Sequence, residues 1–255
     1  MVRQRFGYLR EITRPALTPF LGISLDTQDK VPNVTQSQNL LVKYVPYFLD
    51  GLPRHHRFKL NFHPDFNWWS PFFWEGFSQQ SRYTYRLTDL DNLEAVWSRF
   101  NSNARRNIKK AEKQLELDFD GDVSTLYDLF SMTMENQNKK PGYPAELLKK
   151  LVAESLRRES GKVIIARAPD GEPHCALFIV WHNNECYYLV GGTHPVLRKS
   201  GAMMLSMWGA IQYAANHAAV FDFEGSMQPG IDKFLRNFGG IPVAYSQITR
   251  SHKLF

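Results

Sequence analysis

The stretch from Tyr187 to Tyr245 constrains the fold more than any other part of the chain. It reads as an apolar strand broken at Gly191-Gly192, then a long helix from Arg198 to about His217, opened by Arg198-Lys199-Ser200-Gly201-Ala202. A short strand at residues 219–224 ends at Gly225-Ser226, and a short helix at 229–237, a Phe238-Gly239-Gly240 turn and a last strand follow. A helix N-terminus facing two strand ends gathers unpaired backbone N–H groups at the positive pole of the helix dipole. This order therefore predicts a site for an anionic group.

The rest of the chain supplies the elements such a site needs. With 255 residues, 43% of them hydrophobic, there is apolar surface for one large domain or two small ones. Leu40, Leu41, Tyr44 and Phe48 at helical spacing predict a helix over 38–49, and Phe58, Leu60 and Phe62 predict a strand over 57–62. Arg82 to Leu87 alternates as a second strand, and Asp91 stands as an N-cap ahead of Glu94 for a helix through Trp97 and Phe100. Beyond Leu115 the order is β-α-α-β-β-β-α-β-α-β, with helices at 123–137 and 144–158 and strands at 115–119, 162–168, 174–182 and 185–190.

Composition limits the classes open to the chain. A net charge of +6 favours encounter with phosphates, nucleic acid or anionic lipid and says nothing of chemistry. Cys175 and Cys186 flank a predicted hairpin turn, lack metal-ligand spacing and suit buried strand positions in a reducing compartment. The eight histidines are scattered, so no metal site is expected. No stretch approaches the ~20 apolar residues of a membrane span, and the first residues carry no signal-like apolar core. A cytoplasmic protein without a membrane-spanning segment is the expectation.

Two stretches resemble the FemABX-like branch of the GNAT acyltransferase superfamily. Leu93-Glu94-Ala95-Val96-Trp97 with Arg105-Arg106-Asn107-Ile108-Lys109-Lys110-Ala111-Glu112-Lys113 is similar to the end of that branch's first lobe. Phe221-Asp222-Phe223-Glu224-Gly225-Ser226 with Phe234-Leu235-Arg236-Asn237-Phe238-Gly239-Gly240 is similar to its FDFxGS and FKxxFGG elements. The resemblance implies an α/β fold of tandem GNAT-like lobes around a shared cleft, with a degenerate lobe at 1–114 and a second at 115–255. It implies transfer of an acyl or aminoacyl group to a small-molecule primary amine. Acyl-CoA or aminoacyl-tRNA would be the donor, and no cofactor would be tightly bound. Position 235 is Leu where many relatives carry Lys, Met203 departs from the acetyl-CoA signature, and the helical arm associated with tRNA is missing. A GNAT-like protein that has lost catalysis and binds an anionic ligand or RNA is the alternative.

Roles follow from pattern and resemblance together. Arg198, Ser200, Gly201 and Ala202 would hold the donor's anionic tail, and the amides of Val190, Gly191 and Gly192 would polarise its carbonyl. Asp222 and Glu224, two apart on a strand, would share a face. Glu224 would accept the amine proton if burial raised its affinity for one, while Asp222 and Arg236 would hold the acceptor. The bland alternative pairs one of these carboxylates with Arg236 or Lys233. Ser226, Lys233 and Phe238 complete the expected acceptor side, with Ser226 equally suited to capping the helix from Pro229. The run from Arg105 to Lys113 is expected to be a solvated helix face rather than a polyanion surface. The aromatic cluster from Trp68 to Trp74 and the stripe Met203, Met204, Met207 and Trp208 are expected to be core. Oligomeric state leaves no mark on the sequence.

Overall fold

The computed structural model describes residues 2–5, 9–24 and 33–251. In chain order these form β1 (Val2–Arg5), β2 (Leu9–Thr13), α1 (Val34–Asp50), β3 (Arg57–Asn61), α2 (Ser70–Trp74), β4 (Ser78–Leu87), α3 (Leu93–Arg99), α4 (Ser102–Ala111) and β5 (Glu116–Asp118). There follow α5 (Val123–Glu135), α6 (Ala145–Arg157), β6 (Gly161–Arg167), β7 (Pro173–His182), β8 (Glu185–Thr193), α7 (Ala202–Ala214), β9 (Val220–Asp222), α8 (Pro229–Leu235) and β10 (Ile241–Ser251). The element order expected beyond residue 115 is present throughout. Among the described residues no helix is long and apolar enough to cross a membrane.

Contacts divide the chain into two compact units, residues 1–83 with 243–255 and residues 84–242. The division differs from lobes of 1–114 and 115–255. The reason is α4, whose Ala104, Ile108 and Ala111 recur at helical spacing and are buried in the same core as α7.

In the first unit β1 and β2 are antiparallel, β2 and β3 parallel, and β3 and β10 antiparallel. Ile12, Val45, Leu49, Phe58, Leu60, Phe62, Phe72, Phe77 and Ile248 form its core. The aromatic cluster is core only in part: Phe72 is buried, whereas Phe73 and Trp74 are each 61% exposed.

The second unit is built on the strand order β4-β9-β8-β7-β6-β5. Every neighbouring pair is antiparallel except β8 and β9, which run parallel. Alternation along β7 sends Cys175, Leu177 and Ile179 into the core shared with α7, while α5 packs on the opposite side, against β8. The Met stripe of α7 lies in or against that core, as expected. Phe100, Phe221 and Phe238 are at most 1% exposed; burying a side chain of this size contributes ~1.5–3 kcal/mol.

Local chemistry sets the helix ends. Asn101 accepts from the Ala104 amide at 2.8 Å and Asp122 from that of Thr125 at 2.8 Å, starting α4 and α5. The cap of α3 is Asn92, whose side chain accepts from Ala95 N, rather than Asp91. Three further boundaries differ from the sequence expectation. β8 continues through Gly191-Gly192 to Thr193, β9 stops at Asp222, and α7 begins at Ala202 after a 3-10 turn at Arg198–Ser200.

Candidate active site

β8 and β9 pair at Glu185↔Val220, Cys186↔Phe221 and Tyr187↔Asp222, and the pairing stops there while β8 runs on for six residues. Along that extension β8 is paired to β7, so its backbone groups on the β9 side border an open splay. A bulge sits at the same place. Phe178 pairs with Val190 and Ile179 with Tyr188, leaving Leu189 as the extra residue.

The bulge changes which side chains share a face. Tyr188 and Gly191 lie opposite Ile179 and Leu177 and therefore point to the same side of the sheet, whereas Val190 and Gly192 point to the other. A Cβ on Gly191 would fall 2.5 Å from the Tyr188 Oη, so that hydroxyl lies against the Gly191 backbone. A Cβ on Gly192 would fall 2.2 Å from the Phe130 amide nitrogen and 2.4 Å from the Leu129 carbonyl oxygen. Gly192 is thus where α5 crosses β8 at close range, reinforced by the Thr193 amide donating to Thr133 Oγ1 at 2.8 Å.

Asp222 and Glu224 separate as sharply. Asp222 is 0% exposed and its Oδ2 accepts from Arg86 Nε at 2.7 Å, with the Thr84 hydroxyl also donating to the carboxylate. Arg86 reaches Glu185 with its other side, Nη1 to Oε1 at 3.1 Å, and Tyr187 donates to Glu185. Burial pushes the Asp222 carboxyl up, against the pull of Thr84, Arg86 and the Glu224 amide, while Asp222 and Glu185 more than offset burial and hold Arg86 above its ordinary value. Asp222 is therefore committed to a buried ion pair, with Arg86 in the place the sequence offered to Arg236 or Lys233.

Asp222 also ends its own strand. Its Oδ1 accepts from the Glu224 amide at 2.7 Å, and Glu224 and Gly225 take φ of 59° and 56°. The two carboxylates consequently do not alternate along one strand face. A left-handed glutamate is a strained conformation held by its surroundings, and such residues concentrate at functional sites.

Two tyrosines not anticipated from the sequence lie within electrostatic reach of Glu224. Burial pushes the hydroxyls of Tyr143 and Tyr188 well above the ordinary tyrosine value, and the Glu224 carboxylate nearby adds to both. Tyr143, between α5 and α6, stacks on Phe130 at 5.3 Å and 5°, and Tyr127 donates to its carbonyl at 3.2 Å. Tyr188 and Glu224 thus lie at the point where β8 and β9 part, with Tyr143 within electrostatic reach of both. Both phenols stay protonated at neutral pH and offer O–H donors beside a carboxylate.

The expected tail site is the turn before α7. Arg198 and Lys199 are exposed. With the Asn136 amide oxygen facing the guanidinium, it accepts from both terminal nitrogens of Arg198 at 3.1 and 3.2 Å. Ser200 Oγ accepts from the Ala202 amide at 3.3 Å, and the Ala202 side chain is buried, so Ala202 can offer an anion only its backbone. Gly201 has φ 82°, and a Cβ there would sit 2.8 Å from the Asn107 carbonyl oxygen on α4. It is a packing glycine between α4 and α7 as well as a turn glycine.

The remaining expected residues have other partners. Arg236 Nε pairs with Asp232 at 3.0 Å, and Asp232 also accepts from Tyr85 at 2.6 Å. Lys233 is exposed. Ser226 Oγ accepts from the Gln228 amide at 3.0 Å, the turn-holding role. Phe238 is 0% exposed, packed on Phe100 at 5.2 Å and Phe223 at 5.7 Å, so it shapes the core rather than offering surface.

A sheet whose parallel pair splays beside a bulge, with a helix entering just beyond, defines an acyltransferase-type α/β fold. Residues 98–229, a little over half of the chain, match the family described as an acetyltransferase (GNAT) domain, and the chain belongs to that family. No curated protein matches it. Among solved structures it is similar to FemX, with a TM-score of 0.70 and 12% identity over 96% of this chain and 82% of that one. It is also similar to the C-terminal domain of a putative lysylphosphatidylglycerol synthetase from Agrobacterium fabrum, TM-score 0.54 and 12% identity over 86% and 74% of the two chains. L-PGS from Bacillus licheniformis gives TM-score 0.54 and 11% identity over 78% and 68%. At these identities the likeness is one of fold, and together with the family it supports acyl transfer as the general chemistry.

Proposed function

We propose that the chain transfers an acyl or aminoacyl group from a thioester or ester donor, acyl-CoA or aminoacyl-tRNA, to the primary amine of a small acceptor. The observation that carries this is the splay: β8 and β9 part beside the Leu189 bulge, with Tyr188 on one strand and Glu224 just past the end of the other. In this reading the donor carbonyl lies in the splay against the amides of Val190 and Gly191, with its anionic tail toward Arg198 and Lys199. The amine lone pair attacks the carbonyl carbon, the amine proton passes to Glu224, and the C–S or C–O bond breaks with its electron pair on the departing sulfur or oxygen, which leaves as the thiol or hydroxyl after taking up a proton. Tyr188, held protonated, supplies an O–H to the developing negative charge. Asp222 acts through Glu224 by holding its amide. A reducing cytoplasm suits the two buried free thiols, Cys175 and Cys186.

The test is a panel of acyl-CoA thioesters and aminoacyl-tRNA against primary amines, with amide product read by mass spectrometry. For whichever pair turns over, Glu224→Gln is expected to lower kcat by ~10²–10⁴-fold with little change in donor KM. A loss under about fivefold would remove Glu224 from the proton transfer.

A further inference from the structure

The helix α4 carries a surface that the transfer chemistry does not use. Ala104, Ile108 and Ala111 are buried, and away from them stand Arg105, Arg106, Lys109 and Lys110, with Lys113 one turn on. Arg105, Lys109 and Lys113 recur every four residues, as do Arg106 and Lys110, which makes two rows of cations with a step of ~6 Å. With Trp97 and Ser102 the five line one open groove of about 600 Å³. Glu112 is not among the lining residues.

Among the described residues these charges have no internal counter-ions. Arg105 donates to the Ser98 carbonyl at 2.9 Å and Arg106 to Asn103 Oδ1 at 3.1 Å. Among the described residues no carboxylate lies within ion-pair distance of any of the five. Like charges four apart on a helix oppose one another, so the arrangement is stabilised by an external anion. Trp97 is half-buried, packed on Phe100 at 5.4 Å and Trp208 at 5.1 Å, and contributes the aromatic part of the groove lining.

We propose that this groove binds a single-stranded nucleic acid, its phosphodiesters along the two cation rows and a base against Trp97. A cationic groove with an aromatic wall is what holds unpaired strands. A bilayer surface would instead call for a flat or protruding face with its aromatic rings projecting. The proposal does not rest on the transferase reading.

The experiment uses the full chain and fluorescein-labelled 15-nucleotide strands of RNA and of DNA, each read by anisotropy across a salt series. The matching RNA duplex, an abasic strand, and vesicles of equal phosphatidylcholine and phosphatidylglycerol are the comparison arms. At least one single strand is expected to bind with a log–log salt slope of about −3.5, for five phosphate contacts at ~0.7 each. The abasic strand should bind roughly tenfold more weakly. Changing Arg105, Arg106, Lys109, Lys110 and Lys113 together to Gln should flatten the slope to near zero with the melting temperature kept. The charge-conserving exchange (each Arg→Lys, each Lys→Arg) should retain it. Should the five-fold variant fail to fold, Lys109→Gln and Lys113→Gln singly should each remove ~0.7 from the slope. Binding indifferent to these charges, abasic or duplex binding as tight as the single strand, or vesicle binding through the five cations without oligonucleotide binding would each overturn the proposal. The RNA and DNA arms decide which strand it is.

Discussion

The first third of β8 and the remainder form a closed and an open part with different neighbours. From Glu185 to Tyr187 the strand is paired on both sides and its charges are matched: Arg86 lies between Asp222 and Glu185, and Tyr187 donates to Glu185. From Tyr188 to Thr193 the β9 side is open, the ladder is bulged at Leu189, and a tyrosine hydroxyl lies on a glycine. The closed part has every reason to be rigid and little room for a substrate. The open part has a β8 edge without a β9 partner and a tyrosine O–H on that stretch. Stability and chemistry are thus divided along one strand, and Asp222 joins them: its Oδ2 belongs to the ion pair and its Oδ1 fixes Glu224.

The largest effect should come from the closed part. Arg86→Met leaves the carboxylate of Asp222 buried without its cation, and removing one member of a buried pair typically costs ~3–5 kcal/mol. Denaturant unfolding of the variant should show a loss of that order, and Glu224 should lose its fixed position with it. A variant destabilised by less than about 1 kcal/mol would break the division, because Asp222 would then be free for chemistry.

Gly192→Ala comes next. Its Cβ meets backbone atoms of α5 at 2.2 to 2.4 Å, which cannot turn aside as a side-chain tip can. Overpacking of this kind costs ~1–3 kcal/mol, seen as a lowered unfolding midpoint. An unchanged midpoint would mean that α5 does not seat on β8 here.

Alkaline pH probes both parts at once. Burial raises Tyr187, with Glu185 adding to it, and raises Tyr188, with Glu224 among the groups adding to it. A raised folded value means that each phenol contributes stability that is full below its unfolded value near 10 and is lost as pH climbs above it. Each should add ~1.4 kcal/mol per pH unit to the steepness of that loss. Tyr187→Phe and Tyr188→Phe should each flatten the alkaline limb by one such step. An unaltered limb for Tyr188→Phe would show that phenol to be open to solvent.

Much of this was legible in the sequence, and the misses have one physical origin. Hydrophobic periodicity gave the element order from β5 to β10, the burial of Cys175 and Cys186, and the seating of the Met stripe in or against the core. It could not give register. Gly191-Gly192 looked like a break because glycine usually punctuates strands, yet here both are strand residues required by close approach. Asp222 and Glu224 looked like neighbours on one face because alternation was extended two residues past the point where a side chain caps the strand. Arg86 lies 136 residues from Asp222 and no local pattern links them. Tyr143 sits in a loop, and Tyr188 acquires its role only through the bulge; a tyrosine three residues before a glycine pair was the one available hint.

Gly191→Ala should have the smallest effect on stability and isolates the open part. Its Cβ would meet the Tyr188 Oη at 2.5 Å, and its other near contacts are on the same ring, at 3.0 and 3.1 Å. The obstacle is the far end of a side chain, which can pivot by a few tenths of an ångström, so the loss should stay below ~1 kcal/mol. The pivot moves the hydroxyl from the place where β8 and β9 part, and a misplacement on that scale lowers turnover by ~10–10²-fold. Gly191→Ala combined with Tyr188→Phe removes the clashing oxygen. The pair should then recover the lost stability and none of the lost turnover, a coupling that a double-mutant cycle reads directly. If the double variant regained activity along with stability, the Tyr188 hydroxyl would be a packing group, and the open part would owe its chemistry to Glu224 and the splayed backbone alone.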